Sequence, residues 1–124
     1  MGKTAVVTGA GSGIGQAIAI ALARQGAFVN VLDVNDHTAE ETVEQIRSTG
    51  CQAEGIKCDV SNHVQVQEIF NKLGRDRDGL DCLVNNAGIA HVGNITNTSD
   101  EDFDRVMSVN LKGVFNCLKG GVRQ

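Results

Sequence analysis

Four glycines, Gly9, Gly11, Gly13 and Gly15, stand between a short apolar run, Ala5 to Val7, and a segment from Gln16 to Gln25 that places Ile18, Ala19, Leu22 and Ala23 on one helical stripe. The order is strand, glycine turn, helix. A helix N-terminus carries N–H groups without intrahelical partners and the positive end of the helix dipole, so it attracts anions. Glycine meets the second requirement: with no Cβ, the backbone can lie directly against a diphosphate. The spacing is Gly9-x-x-x-Gly13-x-Gly15, with Thr8 ahead of it and Ile14 between the last two glycines. It differs from the commoner G-x-G-x-x-G, and taken alone it also describes an ordinary tight strand-to-helix turn.

The rest of the chain repeats this alternation. Phe28 to Leu32 is a second β-prone run and ends in Asp33. It closes a βαβ unit, whose strands pair in parallel through a right-handed crossover. A carboxylate at that strand end can accept hydrogen bonds from both hydroxyls of an adenosine ribose and repels a 2′-phosphate; the plainer alternative is a solvated loop acid or a helix cap. Thr38 to Thr49 reads as a second helix, with Ala39, Val43 and Ile46 inward and Gly50 as its stop. Gln52 to Cys58 is a third strand, Ala53 and Gly55 facing one way and Ile56 and Cys58 the other, and it runs into Asp59-Val60. Ser61 or Asn62 caps a third helix through Leu73, and Arg75 to Gly79 is expected as a charged, solvated loop. Leu80 to Val84 is the fourth strand and leads into Asn85-Asn86-Ala87-Gly88. Small polar residues there either face a ligand at the strand ends or serve turn geometry alone. Thr98-Ser99-Asp100-Glu101 reads as a capping box for a long helix over 100–122. That helix has more apolar positions than one face can hide against a sheet. Asn110 sits in its middle, either as a tolerated polar residue or as a functional one.

One domain, 1–124, accounts for this β-α alternation, with no linker and no internal repeat. A net charge of −4 and the lack of any basic run argue against a nucleic-acid surface. Cys51, Cys58, Cys82 and Cys117 form no C-x-x-C and no zinc spacing with His37, His63 or His91. They read as reduced thiols of a cytoplasmic protein, and no metal site is expected. No apolar run is long enough for a membrane span.

With these motifs in place, the chain resembles the short-chain dehydrogenase/reductase family along its whole length. The residues that carry the resemblance are Thr8-Gly9-x-x-x-Gly13-x-Gly15, Asp33, Asp59-Val60, Asn85-Asn86-Ala87-Gly88 and Val109-Asn110. The resemblance implies an α/β fold, a Rossmann-type three-layer α/β/α arrangement with a parallel sheet of four strands in the order 3-2-1-4, here as a truncated doubly wound fold. It implies a nicotinamide dinucleotide across the strand ends. Gly9, Ser12, Gly13, Ile14 and Gly15 would take the diphosphate and ribose, Asp33 the adenosine ribose, Asp59 and Val60 the adenine. Asn86, Ala87 and Gly88 would line the nicotinamide-side ribose. Ser12, where NADP-preferring members often carry Arg, together with Asp33 points to NAD.

The departure from the family concerns catalysis. The family uses Asn, Ser, Tyr and Lys, with Tyr as the acid/base. Asn110 matches the Asn position, but the sequence has no tyrosine, so Tyr-x-x-x-Lys is absent. The expectation is therefore the NAD-binding half of an alcohol or carbonyl oxidoreductase, inactive alone, with Asn110 as its one catalytic residue. The competing reading is a non-catalytic nucleotide-binding or interaction protein. It would self-associate, or pair with a full-length relative, through helix 100–122 and the apolar edge of the fourth strand. A methyltransferase would explain Asp33 but not Asn85–Gly88 or Asn110.

Overall fold

The structure, a computed structural model, describes residues 2–77, 80–87, 99–107, 113, 116 and 117. Four strands and four helices alternate: β1 (Thr4–Thr8), α1 (Gly13–Arg24), β2 (Phe28–Asp33), α2 (Asp36–Arg47), β3 (Ala53–Lys57), α3 (His63–Arg77), β4 (Cys82–Val84) and α4 (Asp100–Met107). Residues 113, 116 and 117 are also helical. The strands form one parallel sheet in the order β3-β2-β1-β4. This is the α/β arrangement and strand order expected above.

Strand periodicity sorts the core into two layers, because successive side chains point to opposite faces. On one face Val7, Val29, Val31 and Ala53 meet Ala19 and Ala23 of α1 and Ala39, Val43 and Ile46 of α2. On the other, Val6, Leu32 and Cys58 meet Val60, Val66, Phe70 and Leu73, together with Cys117. β1 is buried throughout and β2 nearly so, as parallel strands covered on both faces must be. Ala53 and Ile56 fall on opposite faces, as the alternation in β3 requires.

Several boundaries differ from the expected ones, each for a local reason. α1 starts at Gly13 rather than Gln16, because Ser12 in extended conformation is its N-cap position and the last two glycines belong to the first turn. α2 starts at Asp36 rather than Thr38; the Asn35 carboxamide oxygen accepts the Thr38 N–H at 3.2 Å and caps it. Gly50 takes φ +83°, which suits the helix stop assigned to it. Of the two caps expected for α3, Asn62 takes the role, accepting the Gln65 N–H at 3.1 Å. α3 then runs on to Arg77, so Arg75–Arg77 are helical rather than loop; Arg and Lys are good helix formers, and charge alone does not end a helix. β4 is shorter than expected: Asp81 spends its carboxylate on the Thr4 N–H at 2.8 Å, and pairing begins at Cys82. The cap of α4 is Ser99, whose hydroxyl accepts the Asp102 N–H at 3.0 Å, one position after the expected Thr98. Thr98, residues 91–97 and most of 108–122, over which the sequence predicts that the long helix continues, lie outside the described residues.

Cys58 and Cys117 are buried in the second layer as free thiols. Burial pushes the Cys58 thiol up from 9.0 to about 12, with Cys117 and then Asp59 adding to the effect; burial alone raises Cys117 to about 11. The thiolate is the reactive form. Cys51 and Cys82 are half-buried. A thiol-specific chromogenic reagent at pH 8 is therefore expected to modify two cysteines promptly and the other two only at the rate at which the chain opens. Four equal rates would show that the second layer does not pack as described. The sign of the linkage follows: a raised thiol pKa stabilises the folded state below pH 9.0, and that stabilisation is lost as pH climbs towards 11 and 12.

Candidate functional site

Because every strand pairing is parallel, the C-terminal ends of all four strands lie along one edge of the sheet. Thr8, Asp33, Lys57 and Val84 end the strands there, and the glycine turn, Asp59-Val60 and Asn85–Ala87 follow directly. Ligands of open α/β sheets bind at this edge. This edge collects the glycine turn, Asp33, Asp59-Val60 and Asn85–Ala87 among the motifs singled out from the sequence.

The four glycines do different work. Gly9 has φ +63°, and a Cβ on it would stand 2.8 Å from the Ala87 Cα and 3.0 Å from the Ala87 nitrogen. A Cβ on Gly15 would meet the Gly9 carbonyl oxygen and the Asn86 Nδ2. Those two glycines let β1, the start of α1 and the 85–87 turn touch backbone to backbone. Gly11 lies under Asp33, where a Cβ would stand 2.8 Å from Oδ2. Gly13 is the exception: it has φ +57°, and a Cβ there would meet nothing within 4 Å. The open side of the turn is thus at Gly13, beside exposed Ser12 and Ile14.

Ser12 is the N-cap of α1 and makes no side-chain cap hydrogen bond, and the first turn holds no acidic residue. The first turn of this 12-residue helix therefore carries neither a side-chain cap nor an acid of its own, and the nearest described carboxylate, that of Asp33, is bound one residue before the cap, at the Gly11 N–H. Ile14 is 74% exposed, a large apolar side chain at the same edge, and Val34, next to Asp33, is 61% exposed.

Asp33 is half-buried and already employed. Its Oδ2 accepts the Gly11 N–H at 2.9 Å and its Oδ1 accepts the Asn35 N–H at 3.0 Å. Each carboxylate oxygen can accept a second hydrogen bond, so the group braces the glycine turn and keeps acceptor capacity. Asp59 is exposed; its Oδ1 accepts the Ser61 N–H at 3.0 Å and hydroxyl at 2.7 Å. Val60 behind it is buried. Asn86 donates its Nδ2 hydrogen to the Gly9 carbonyl at 3.2 Å, so it helps to hold the turn, and Ala87 packs against the second core layer. Gly88 and Asn110 lie outside the described residues.

Thr8 has a larger part than the sequence showed. Its hydroxyl oxygen accepts the N–H groups of Asn86 and Ala87, each at 3.0 Å, and donates to the Val84 carbonyl at 3.4 Å. Thr42 does the same from α2, donating to the Ala10 carbonyl at 2.9 Å and accepting from Gln16 Nε2 at 3.1 Å. The signal available beforehand was only that Thr8 sits between an apolar strand and the first glycine; Thr42 offered none.

Among the described residues no group of three or more His, Cys, Asp or Glu side chains is placed to hold a metal ion, and no helix is long and apolar enough to cross a membrane. A groove between β3 and α3, lined by Glu54, Ile56, Glu68, Ile69, Lys72 and Leu73, lies on the outer side of the sheet. It shares no residue with the strand-end site.

Comparison with known proteins agrees with this fold. The family model described as short chain dehydrogenase matches residues 3–124. An uncharacterised oxidoreductase of Thermotoga maritima is 46% identical over 123 residues, which is 99% of this chain and 48% of that protein. The 2,3-dihydro-2,3-dihydroxybenzoate dehydrogenase of Bacillus subtilis is 40% identical over 118 residues, 95% of this chain and 45% of the relative. A crystal structure of a short-chain type dehydrogenase/reductase from Mycobacterium marinum superposes with a TM-score of 0.93 at 34% identity, covering 98% of this chain and 49% of the other. The chain spans about half the length of the curated relatives it matches.

Proposed function

Since the chain belongs to the short-chain dehydrogenase family, we propose that it binds NAD, in preference to NADP, as the dinucleotide-holding half of an oxidoreductase acting on an alcohol or carbonyl group. The observation that carries this reading is the uncapped N-terminus of α1. Its first turn lacks both a side-chain cap and an acid, it opens at Gly13, and Asp33 stands beside it. A diphosphate has the charge that this terminus lacks, and the absent Cβ at Gly13 leaves it room. Gly9 and Gly15 shape the turn, and Ser12, Gly13 and Ile14 present it. Asp33 takes the adenosine ribose and would repel a 2′-phosphate. Asp59 and Val60 take the adenine, and Asn86, Ala87 and Gly88 the ribose on the nicotinamide side. When bound, the nicotinamide gives or accepts a hydride.

Proton transfer is a separate matter. With no tyrosine in the sequence, the family's acid/base cannot come from this chain. Of the family's catalytic set we assign Asn110 alone, and the chain by itself is expected to bind dinucleotide without turning over an alcohol. Four free thiols suit a cytoplasmic setting.

Titration calorimetry of the chain with NAD and with NADP tests the reading. Saturable NAD binding, with NADP weaker by about tenfold or more, is expected from one lost charge-assisted hydrogen bond and one added repulsion. A folded chain that binds neither would overturn it. One observation favours a second reading, an interaction protein: among the described residues β4 pairs only with β1, and Cys82, Leu83 and Val84 on it are half-buried. Self-association, or pairing with a full-length relative through helix 100–122 and this edge, would then be the function. Light scattering on the same sample separates the two, since a stable dimer without NAD binding belongs to the second alone.

A further inference from the structure

Val60 is held from behind by residues that the proposed function does not use. Its carbonyl accepts a hydrogen bond from Asn116 Nδ2 at 3.0 Å, across a sequence separation of 56. Asn116 is only 6% exposed and Val60 4%. One helical turn earlier is Gly113, where a Cβ would collide with Val60 Cγ2 and stand 3.1 Å from its Cβ. Only a glycine there lets the helix come this close, and the closeness puts the Asn116 carboxamide within reach of the Val60 carbonyl. From the other side Asp59 is braced as well: its N–H donates to Gln65 Oε1 at 3.0 Å, and its Oδ1 holds Ser61 twice.

What this bracing leaves over is informative. Among the described residues no acceptor meets the Val60 N–H, and no donor meets Asp59 Oδ2. Among the described residues one donor and one acceptor therefore remain on adjacent residues whose backbone is held by side chains from α3 and from the helix carrying residue 116. A purine edge with an amino group beside a ring nitrogen, as in adenine, presents the complementary acceptor and donor. Hypoxanthine, with a carbonyl and a ring N–H in those places, presents the opposite pattern.

We propose that Asn116 is a positioning residue for purine recognition: by tying down the Val60 carbonyl it holds the Asp59–Val60 backbone so that the chain selects adenine over hypoxanthine. The proposal rests on the dinucleotide reading above and adds to it a residue that touches no ligand. The carboxamide acts through Val60, and its burial keeps water from replacing it at that carbonyl.

The test measures binding of NAD and of its hypoxanthine analogue by calorimetry. The proteins are the wild-type chain, Asn116→Leu, which keeps the branched outline and removes the donor at the cost of added bulk, and Asn116→Ser, which shortens the side chain without adding bulk. Thermal midpoints are taken first, and titrations run well below them. Wild type is expected to prefer NAD by about tenfold, the cost of leaving a buried polar pair mismatched. Both variants are expected to lose about tenfold for NAD and less than about threefold for the analogue, so the preference nearly disappears. A role confined to stability would lower the midpoint and weaken both ligands equally; that result, or an unchanged preference, overturns the proposal and leaves the dinucleotide reading intact. A wild-type chain that binds both ligands equally also overturns the proposal. One that binds neither overturns the dinucleotide reading itself, and the proposal with it.

Discussion

Gly9→Ala is expected to lower the stability of the chain by roughly 2–5 kcal/mol, measured by chemical denaturation. The sum has two parts. The backbone at Gly9 has φ +63°, where an L-residue with a Cβ costs about 1–2 kcal/mol. The new methyl group would also stand 2.8 Å from the Ala87 Cα and 3.3 Å from the Asn86 carbonyl carbon. Both are backbone atoms, so the 86–87 turn must move, and such overpacking costs about 1–3 kcal/mol. The turn cannot move alone, because Thr8 Oγ1 holds the N–H groups of Asn86 and Ala87 and Asn86 Nδ2 holds the Gly9 carbonyl. Gly13→Ala is the internal control. It has φ +57° but meets nothing within 4 Å, so only the first part, about 1–2 kcal/mol, applies. The ranking is the prediction: Gly9→Ala unfolds at clearly lower denaturant than Gly13→Ala. Equal losses would mean that β1 and the 85–87 turn are not packed backbone to backbone.

That contrast also marks what a sequence can disclose. The four glycines were visible, as was their place between strand and helix, because periodicity and turn chemistry are local. Which glycine packs and which faces open space was not, since Gly9 is defined by residues 86 and 87 and Gly15 by the Asn86 side chain. The strands were legible from apolar runs, and the two faces of β3 from its alternation. Helix starts were less so. Asn35, Asn62 and Ser99 each have a polar neighbour that is also a good cap, and Ser12 stands between two glycines, so the choice depends on where the chain enters from the previous strand. Thr8, Thr42 and Asn116 act across separations of 78, 32 and 56 residues, so nothing near them in the chain betrays their roles. Asp33 is a mixed case: its position at a strand end was readable, but its hold on the Gly11 N–H was not.

That double employment decides how Asp33 must be tested. Asp33→Ala would remove the acceptors of both the Gly11 and the Asn35 N–H groups, so a loss of NAD binding would confound a collapsed turn with a missing ribose contact. Asp33→Asn is the sharper variant. It keeps the shape and one acceptor oxygen for the turn, and removes the charge and the second acceptor. If the carboxylate receives the ribose hydroxyls, NAD binding falls by about tenfold or more, because hydrogen bonds to a charged group contribute about 1.5–3 kcal/mol. NADP binding then holds or improves, because a 2′-phosphate no longer meets a negative charge. The ratio of the two affinities, read by calorimetry, is expected to shift towards NADP by about tenfold where NADP binding holds, and by more where it improves. Asp36→Asn, at the exposed first turn of α2, removes the same charge three residues away. It controls for general electrostatics, which salt screens over about 10 Å at 0.1 M ionic strength. A ratio that moves in Asp33→Asn and stays put in Asp36→Asn assigns the selectivity to one carboxylate. If both ratios stay put while Asp33→Asn melts lower, Asp33 is a brace for the glycine turn and nothing more. The preference for NAD would then have to come from elsewhere on the strand-end edge.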